Sequence, residues 1–151
     1  GVLNSQEWYS SRKFDELKIR NSKDNYEAYI RKQFSEDLVD NLKFILEKTN
    51  AKIVISSSWR VGRNLKKLKD IFSRFGIEDK VIAKTRRRET TEEKRGDQIE
   101  DFIKKYNVKN YVIIDDSVDM LDHQKVNFVR TSILYGLTPN DAFKAISILN
   151  N

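Results

Sequence analysis

Cysteine is absent from the 151 residues, which excludes disulfides, thiolate metal sites and a cysteine nucleophile. A single histidine, His123, makes a histidine-rich metal centre or a serine–histidine–aspartate triad a poor fit, and it reads as a surface or cap residue. With one proline and five glycines there is no Pro/Gly-rich linker, and no internal repeat or low-complexity tract is visible. No apolar run approaches the roughly 18 residues of a membrane span, and the first residues lack the apolar segment of a signal peptide. What is present, 38% hydrophobic and 34% charged residues, is the composition of a globular chain whose length suits one domain. A formal charge of +6 is compatible with a polyanionic partner and equally with a lysine-rich proteome. The expectation is a single domain over residues 1–151 in a reducing, cytoplasmic setting, without membrane association.

The most informative stretch is YVIIDDSVDML, Tyr111 to Leu121. Four β-formers, Tyr111 to Ile114, run into the adjacent carboxylates Asp115 and Asp116, with Asp119 close behind. A short apolar run bounded by polar residues suits a strand buried on both faces of a parallel sheet. The acids then fall at the strand's C-terminal end, where open α/β sheets keep their ligand crevice. Adjacent carboxylates repel, and an oxygen-rich acidic site of this kind suits Mg²⁺. The same two residues equally suit N-capping of a following helix.

Phe34, Leu38, Leu42, Ile45 and Leu46 at helical spacing predict a helix over about 35–48, with Ser35 as N-cap. A strand over Ala51–Ile55 follows and stops at Ser56-Ser57-Ser58-Trp59-Arg60. A second amphipathic helix runs on Leu65, Leu68, Ile71, Phe72 and Phe75, closed by Gly76. Further on come a strand near 81–83, a charged loop over 84–95, and a helix from near Gly96 to Tyr106. After the acidic strand, Phe128–Thr131 reads as a last strand and 139–149 as a final helix, with Thr138 as N-cap and Pro139 at its first position. Before all of these, GVLNS reads as the end of a strand turning into a loop, with Trp8, Tyr9 and Phe14 covering apolar surface. Strands alternating with helices imply an α/β fold with a mostly parallel sheet and right-handed crossovers.

Three polar positions thus share the C-terminal edge of that sheet: Ser56, the pair Asp115/Asp116, and Lys94/Arg95 at the start of the intervening helix. A hydroxyl, a cation and metal-binding carboxylates around one crevice form a phosphoryl-transfer constellation that lacks only its nucleophile. Each has a plain alternative, since serine-rich strand ends are commonly turns and an arginine before a helix is commonly solvated. Arg86, Arg87 and Arg88 can grip a nucleic-acid backbone or be a solvated loop. Trp8, Tyr9 and Trp59 can stack on bases or pack at the rim of the core.

GVLNS, KIVISSSWR, RGDQIEDFI and YVIIDDSVDM, in that order, resemble the motifs of the haloacid dehalogenase-like (HAD) phosphatases. The likeness is nearest to the phosphatase domains of RNA-repair proteins and of phage polynucleotide end-healing enzymes, and it spans nearly the whole chain. It implies a three-layer α/β/α Rossmann-like domain with a small cap insertion, about 5–34, after the first strand. It also implies Mg²⁺-dependent phosphomonoester hydrolysis through a phospho-aspartate. By this resemblance Ser56 would hold the phosphoryl group, while Arg95, or Lys94 in its place, would steady the intermediate. Asp116 would bind Mg²⁺, with Asp115 orienting or sharing it and Asp119 acting through water. Ser57, Arg60, Arg86, Arg87 and Arg88 join as candidate substrate-binding residues, for RNA or DNA ends or nucleotides.

The chain departs from the family pattern in one respect. The first motif of the family is DxDGVL, and the sequence begins at its glycine. The nucleophilic aspartate, the general acid/base aspartate and the strand before them are therefore not among these residues. We expect the 151 residues to be N-terminally incomplete and, by themselves, inactive on phosphate esters. The competing expectations are a non-catalytic module that binds RNA or protein, and a small-molecule phosphatase.

Overall fold

The computed structural model describes residues 2–11 and 34–151. Phe14 and most of the expected cap insertion therefore lie outside the described residues.

The elements follow the alternation read from the sequence. Five helices are described: α1 (Gln6–Tyr9), α2 (Glu36–Thr49), α3 (Leu65–Ser73), α4 (Arg95–Tyr106) and α5 (Pro139–Leu149). The strands are β1 (Ile53–Ile55), β2 (Val81–Lys84), β3 (Ile113–Asp115) and β4 (Phe128–Arg130). Side-chain caps set the helix starts: Ser35 accepts from the Leu38 N–H, Asn64 from Lys67, and Thr138 from Asp141. α2 ends at Asn50, whose φ of 54° places it in the left-handed cap conformation. Among the described residues Val2–Ser5 are a loop, as the reading of GVLNS as a turn out of a strand expects. Ser5 accepts from the Trp8 N–H and starts the short helix α1, which buries Trp8 and leaves Tyr9 exposed.

Both strand pairs are parallel, β1 with β2 and β3 with β4. Side chains alternate along β3 and so fix the layers. Ile114, with Val112 and Val129, packs on α2 and α5 through Ile45, Ala142 and Ala145. Ile113, on the other face, packs on Ile99 of α4 and on Met120. Helices therefore cover both faces, as expected of a three-layer α/β/α domain. In the other half, Ile55 and Val81 pack with Leu46 of α2 and with Leu68, Ile71 and Phe72 of α3.

The sheet expected to be continuous is two separate pairs. Among the described residues β1 pairs only with β2 and β3 only with β4. Between them lies a cavity of about 690 Å³ lined by all three residues of β1, all three of β3, and Val2–Asn4.

The turn before α5 ties the first described residues to this frame. Gly136 has φ 68°, and a Cβ there would stand 2.9 Å from the Val2 carbonyl oxygen, so only glycine fits. The Leu137 N–H donates to that carbonyl at 2.8 Å, while the Leu137 carbonyl accepts from Asn41 Nδ2 at 2.8 Å. Leu137 is fully buried, with 0% exposure. Leu137→Ala is expected to destabilise the fold by about 2–5 kcal/mol, read as a lower urea midpoint at unchanged slope. A loss below about 1 kcal/mol would mean that the turn is not part of the core.

Candidate active site

Parallel pairing brings the C-terminal ends of the strands together within each pair, and Arg95 links the two pairs there, between Ser56 after β1 and Asp115 at the end of β3. Asp115 is the last residue of β3 rather than the first beyond it, so its backbone is held by the ladder opposite Arg130. Its carbonyl also accepts from the Thr131 N–H at 2.9 Å. The buried Asp115 carboxylate accepts from the Ser117 N–H at 2.9 Å and stands 3.3 Å from Arg95 Nε. Burial raises its pKa above the ordinary carboxylate value, and the neighbouring Asp116 pushes the same way. The Ser117 N–H and the Arg95 guanidinium pull against that rise without cancelling it.

Arg95 is fixed by contacts to three segments. Its guanidinium reaches Asp115 on one side and donates to the Ser56 carbonyl at 2.7 Å on the other. Its backbone N–H donates to Asp119 Oδ2 at 2.9 Å, and the Gly96 N–H donates to the Asp119 carbonyl at 3.1 Å. Asp119 is thus the acid that caps a helix, and the helix is α4 rather than one following it. The Ser117 hydroxyl donates to the same carboxylate, whose pKa is lowered: burial opposes the fall, but the donors from Ser117 and Arg95 prevail. This approach of α4 to the 117–121 loop depends on Gly96, where a Cβ would lie 2.7 Å from the Leu121 N. Lys94 is exposed and precedes the first turn, its N–H donating to Asp97 Oδ2 at 2.9 Å.

Ser56 and Asp116 line the cavity between β1 and β3, together with Ser57, Arg95 and Asp115. Ser57 also closes the turn after β1, accepting from the Trp59 N–H at 3.3 Å. Arg60 does not face solvent: its guanidinium lies buried among carbonyls of the strand-end loops. In the basic loop, Arg86 pairs with Glu93 and with Asp101 at 2.7 Å. The Arg86 donor holds Glu93 down to about 2. Arg87 is exposed, and Arg88 is half-exposed with its guanidinium 3.8 Å from Asp119. Trp59 stacks on Phe34 at 5.0 Å, so it serves the core. His123, exposed as expected, pairs with Glu100 at 2.8 Å.

Two buried glutamines were missed by the sequence reading. Gln98 accepts from Arg60, and Gln124 accepts from the Leu121 N–H at 2.9 Å while donating to the Gly96 carbonyl at 2.9 Å. For Gln98 a signal existed, since it precedes Ile99 on the apolar side of α4 and lies one turn after Lys94. For Gln124 there was none. No group of three His, Cys, Asp or Glu side chains converges as a ready metal cluster among the described residues.

A Rossmann-like α/β domain with acids and cations at the C-terminal edge of parallel strands is the class this arrangement defines. A family model described as the HAD domain in Swiss Army Knife RNA repair proteins matches residues 1–142, and the chain belongs to that family. No curated protein and no solved structure matches it.

Because Asp115 is raised, its ionisation opposes folding, and that cost is absent at low pH and grows as pH rises through the folded-state value. Asp115→Asn is therefore expected to stabilise the fold more near neutrality than at about pH 3, seen as a widening gap in thermal midpoint. A gap that narrows as pH rises would contradict this environment for Asp115.

Proposed function

We propose that this domain supports Mg²⁺-dependent hydrolysis of phosphomonoesters at nucleic-acid ends. The observation that carries the reading is the convergence of Ser56, Arg95, Asp115 and Asp116 on the mouth of one cavity between β1 and β3. The family to which the chain belongs is described for RNA repair proteins, which favours nucleic-acid ends over small metabolites.

In this reading Ser56 binds a phosphoryl oxygen and Arg95 balances charge on the transferring group. The attacking carboxylate belongs to an extended segment that enters the cavity beside β1 and β3. It displaces the alcohol from phosphorus, and water then hydrolyses the acyl phosphate to inorganic phosphate. The donor set fits Mg²⁺, a hard cation usually held by one or two carboxylates plus substrate phosphate. Asp115 is buried, raised in pKa and incompletely compensated by Arg95, as a carboxylate beside a cation site would be. Asp116 would hold the ion with Asp115. Asp119, engaged with Ser117 and the start of α4, would contribute at most through water. When bound, the ion would polarise the phosphoryl oxygens.

The discriminating comparison is between the 151-residue chain and a longer polypeptide that supplies a strand ending in two aspartates before Gly1. The shorter chain is expected to hydrolyse no generic phosphomonoester, and the longer one to do so only with Mg²⁺. Asp116→Asn should cost the longer form about 100-fold or more in kcat. Activity in the 151 residues alone, or an active Asp116→Asn form, would defeat the reading.

In this reading Arg87 and Arg88 meet the nucleic-acid backbone, supported by the exposure of both and by the engagement of Arg86 with two acids, although Arg88 also stands 3.8 Å from Asp119. Arg87→Ala with Arg88→Ala should lower kcat/KM on a phosphorylated RNA end about tenfold, with a shallower salt dependence and little change on a small chromogenic ester. Equal loss on both substrates would favour a small-molecule phosphatase. Salt-sensitive RNA binding without turnover in the longer form would favour a binding module.

A further inference from the structure

Arg60 is the most deeply buried cation near the site, with 6% exposure. Among the described residues no carboxylate pairs with it. Its Nε–H is shared between the carbonyls of Thr85 at 3.1 Å and Arg86 at 3.3 Å. One terminal nitrogen donates to the carbonyls of Ser56 and Ser57, at 2.5 and 2.9 Å. The other donates to the Arg86 carbonyl at 3.0 Å and to the Gln98 side-chain oxygen. All five N–H groups of the fork are therefore used, and none remains for a substrate.

These acceptors belong to three different elements. Ser56 and Ser57 follow β1, Thr85 and Arg86 follow β2, and Gln98 stands in the first turn of α4. The Ser56 carbonyl is also the acceptor of Arg95, so Arg60 and Arg95 meet at one oxygen. Burial and the neighbouring charges of Arg95, Arg86 and Arg88 all disfavour the cation here, lowering its pKa. A charge kept in such a place without an acid needs hydrogen bonds of matching geometry. An ammonium group is a compact point charge with three donors and cannot reproduce the fork.

We propose that Arg60 is a positioning residue whose guanidinium fork, rather than its charge, sets the Ser56–Ser57 turn and Arg95 in the geometry that receives a phosphoryl group. This rests on the phosphatase reading above. It places Arg60 behind the substrate-binding surface, not on it.

The test uses the longer polypeptide of the preceding comparison, with Arg60→Lys, Arg60→Gln and Gln98→Leu, measuring kcat, KM, the orthovanadate inhibition constant and the thermal midpoint. Both Arg60 variants should lose about 30- to 100-fold in kcat, with KM for a small ester moving less than about threefold. Orthovanadate, which mimics the transferring group, should bind about tenfold more weakly. Arg60→Lys within threefold of the parent overturns the claim for the fork. A fall in kcat at unchanged orthovanadate affinity means fewer folded molecules, and overturns it too. Should the Arg60 variants not fold, Gln98→Leu carries the test: weaker orthovanadate binding by about threefold or more is expected, and an unchanged constant overturns the proposal. A parent without activity overturns the phosphatase reading and this role together, whereas an active parent matched by its variants overturns this role alone.

Discussion

One carbonyl oxygen, that of Ser56, accepts from the guanidinium groups of both Arg60 and Arg95, and the polar edge of the sheet is organised around it. The two like charges share this oxygen one residue beyond β1, past the Ile55 carbonyl, which still accepts from the Thr85 N–H at 3.0 Å. Parallel pairing makes such an arrangement available. It places the spent ends of β1 and β2 side by side, and a planar fork can span both. The first turn of α4 is drawn into the same network through Gln98, so loop, strand end and helix start cannot move independently.

The acids divide their tasks according to where the backbone puts them. Asp115 is locked in the β3–β4 ladder, buried, and raised in pKa by that burial. Asp119, four residues on, is held by donors from α4 and the Ser117 hydroxyl and shifts the opposite way. Identical side chains thus differ in character because one is desolvated with a single cation nearby and the other collects hydrogen bonds. Gly96 makes this possible, since any side chain there would push α4 off the loop that carries Asp119.

The helices were legible because local signals agreed with one another: Ser35 before an acidic turn and an apolar stripe, Thr138 before Pro139. The strands were legible as apolar runs, but their bounds moved by up to two residues, since ladder partners decide where a strand begins. The candidate site residues were legible as types at a strand edge. Their working contacts were not. Arg60 was read as a candidate substrate-binding residue because its acceptors, apart from the Gln98 side chain, are backbone carbonyls from residues 56 to 86, which leave no mark in sequence. Gln124 was passed over for a similar reason, since its closest partners are the main-chain groups of Leu121 and Gly96, whereas Gln98 takes the side chain of Arg60, a partner 38 residues away in sequence. The separation of the sheet into two pairs was likewise invisible to periodicity, which reports one strand at a time.

The basic character of the chain also changes meaning once contacts are known. Arg86 and Arg60 add to the formal charge, yet one is neutralised by Glu93 and Asp101 and the other is enclosed. The cavity between β1 and β3 also has a main-chain side. Among the described residues each of these strands has one ladder partner, β1 with β2 and β3 with β4, so the strand edges that border the cavity carry N–H and C=O groups outside any ladder. Such edges are a template for one further extended segment, which would join the two pairs through backbone hydrogen bonds whatever its side chains.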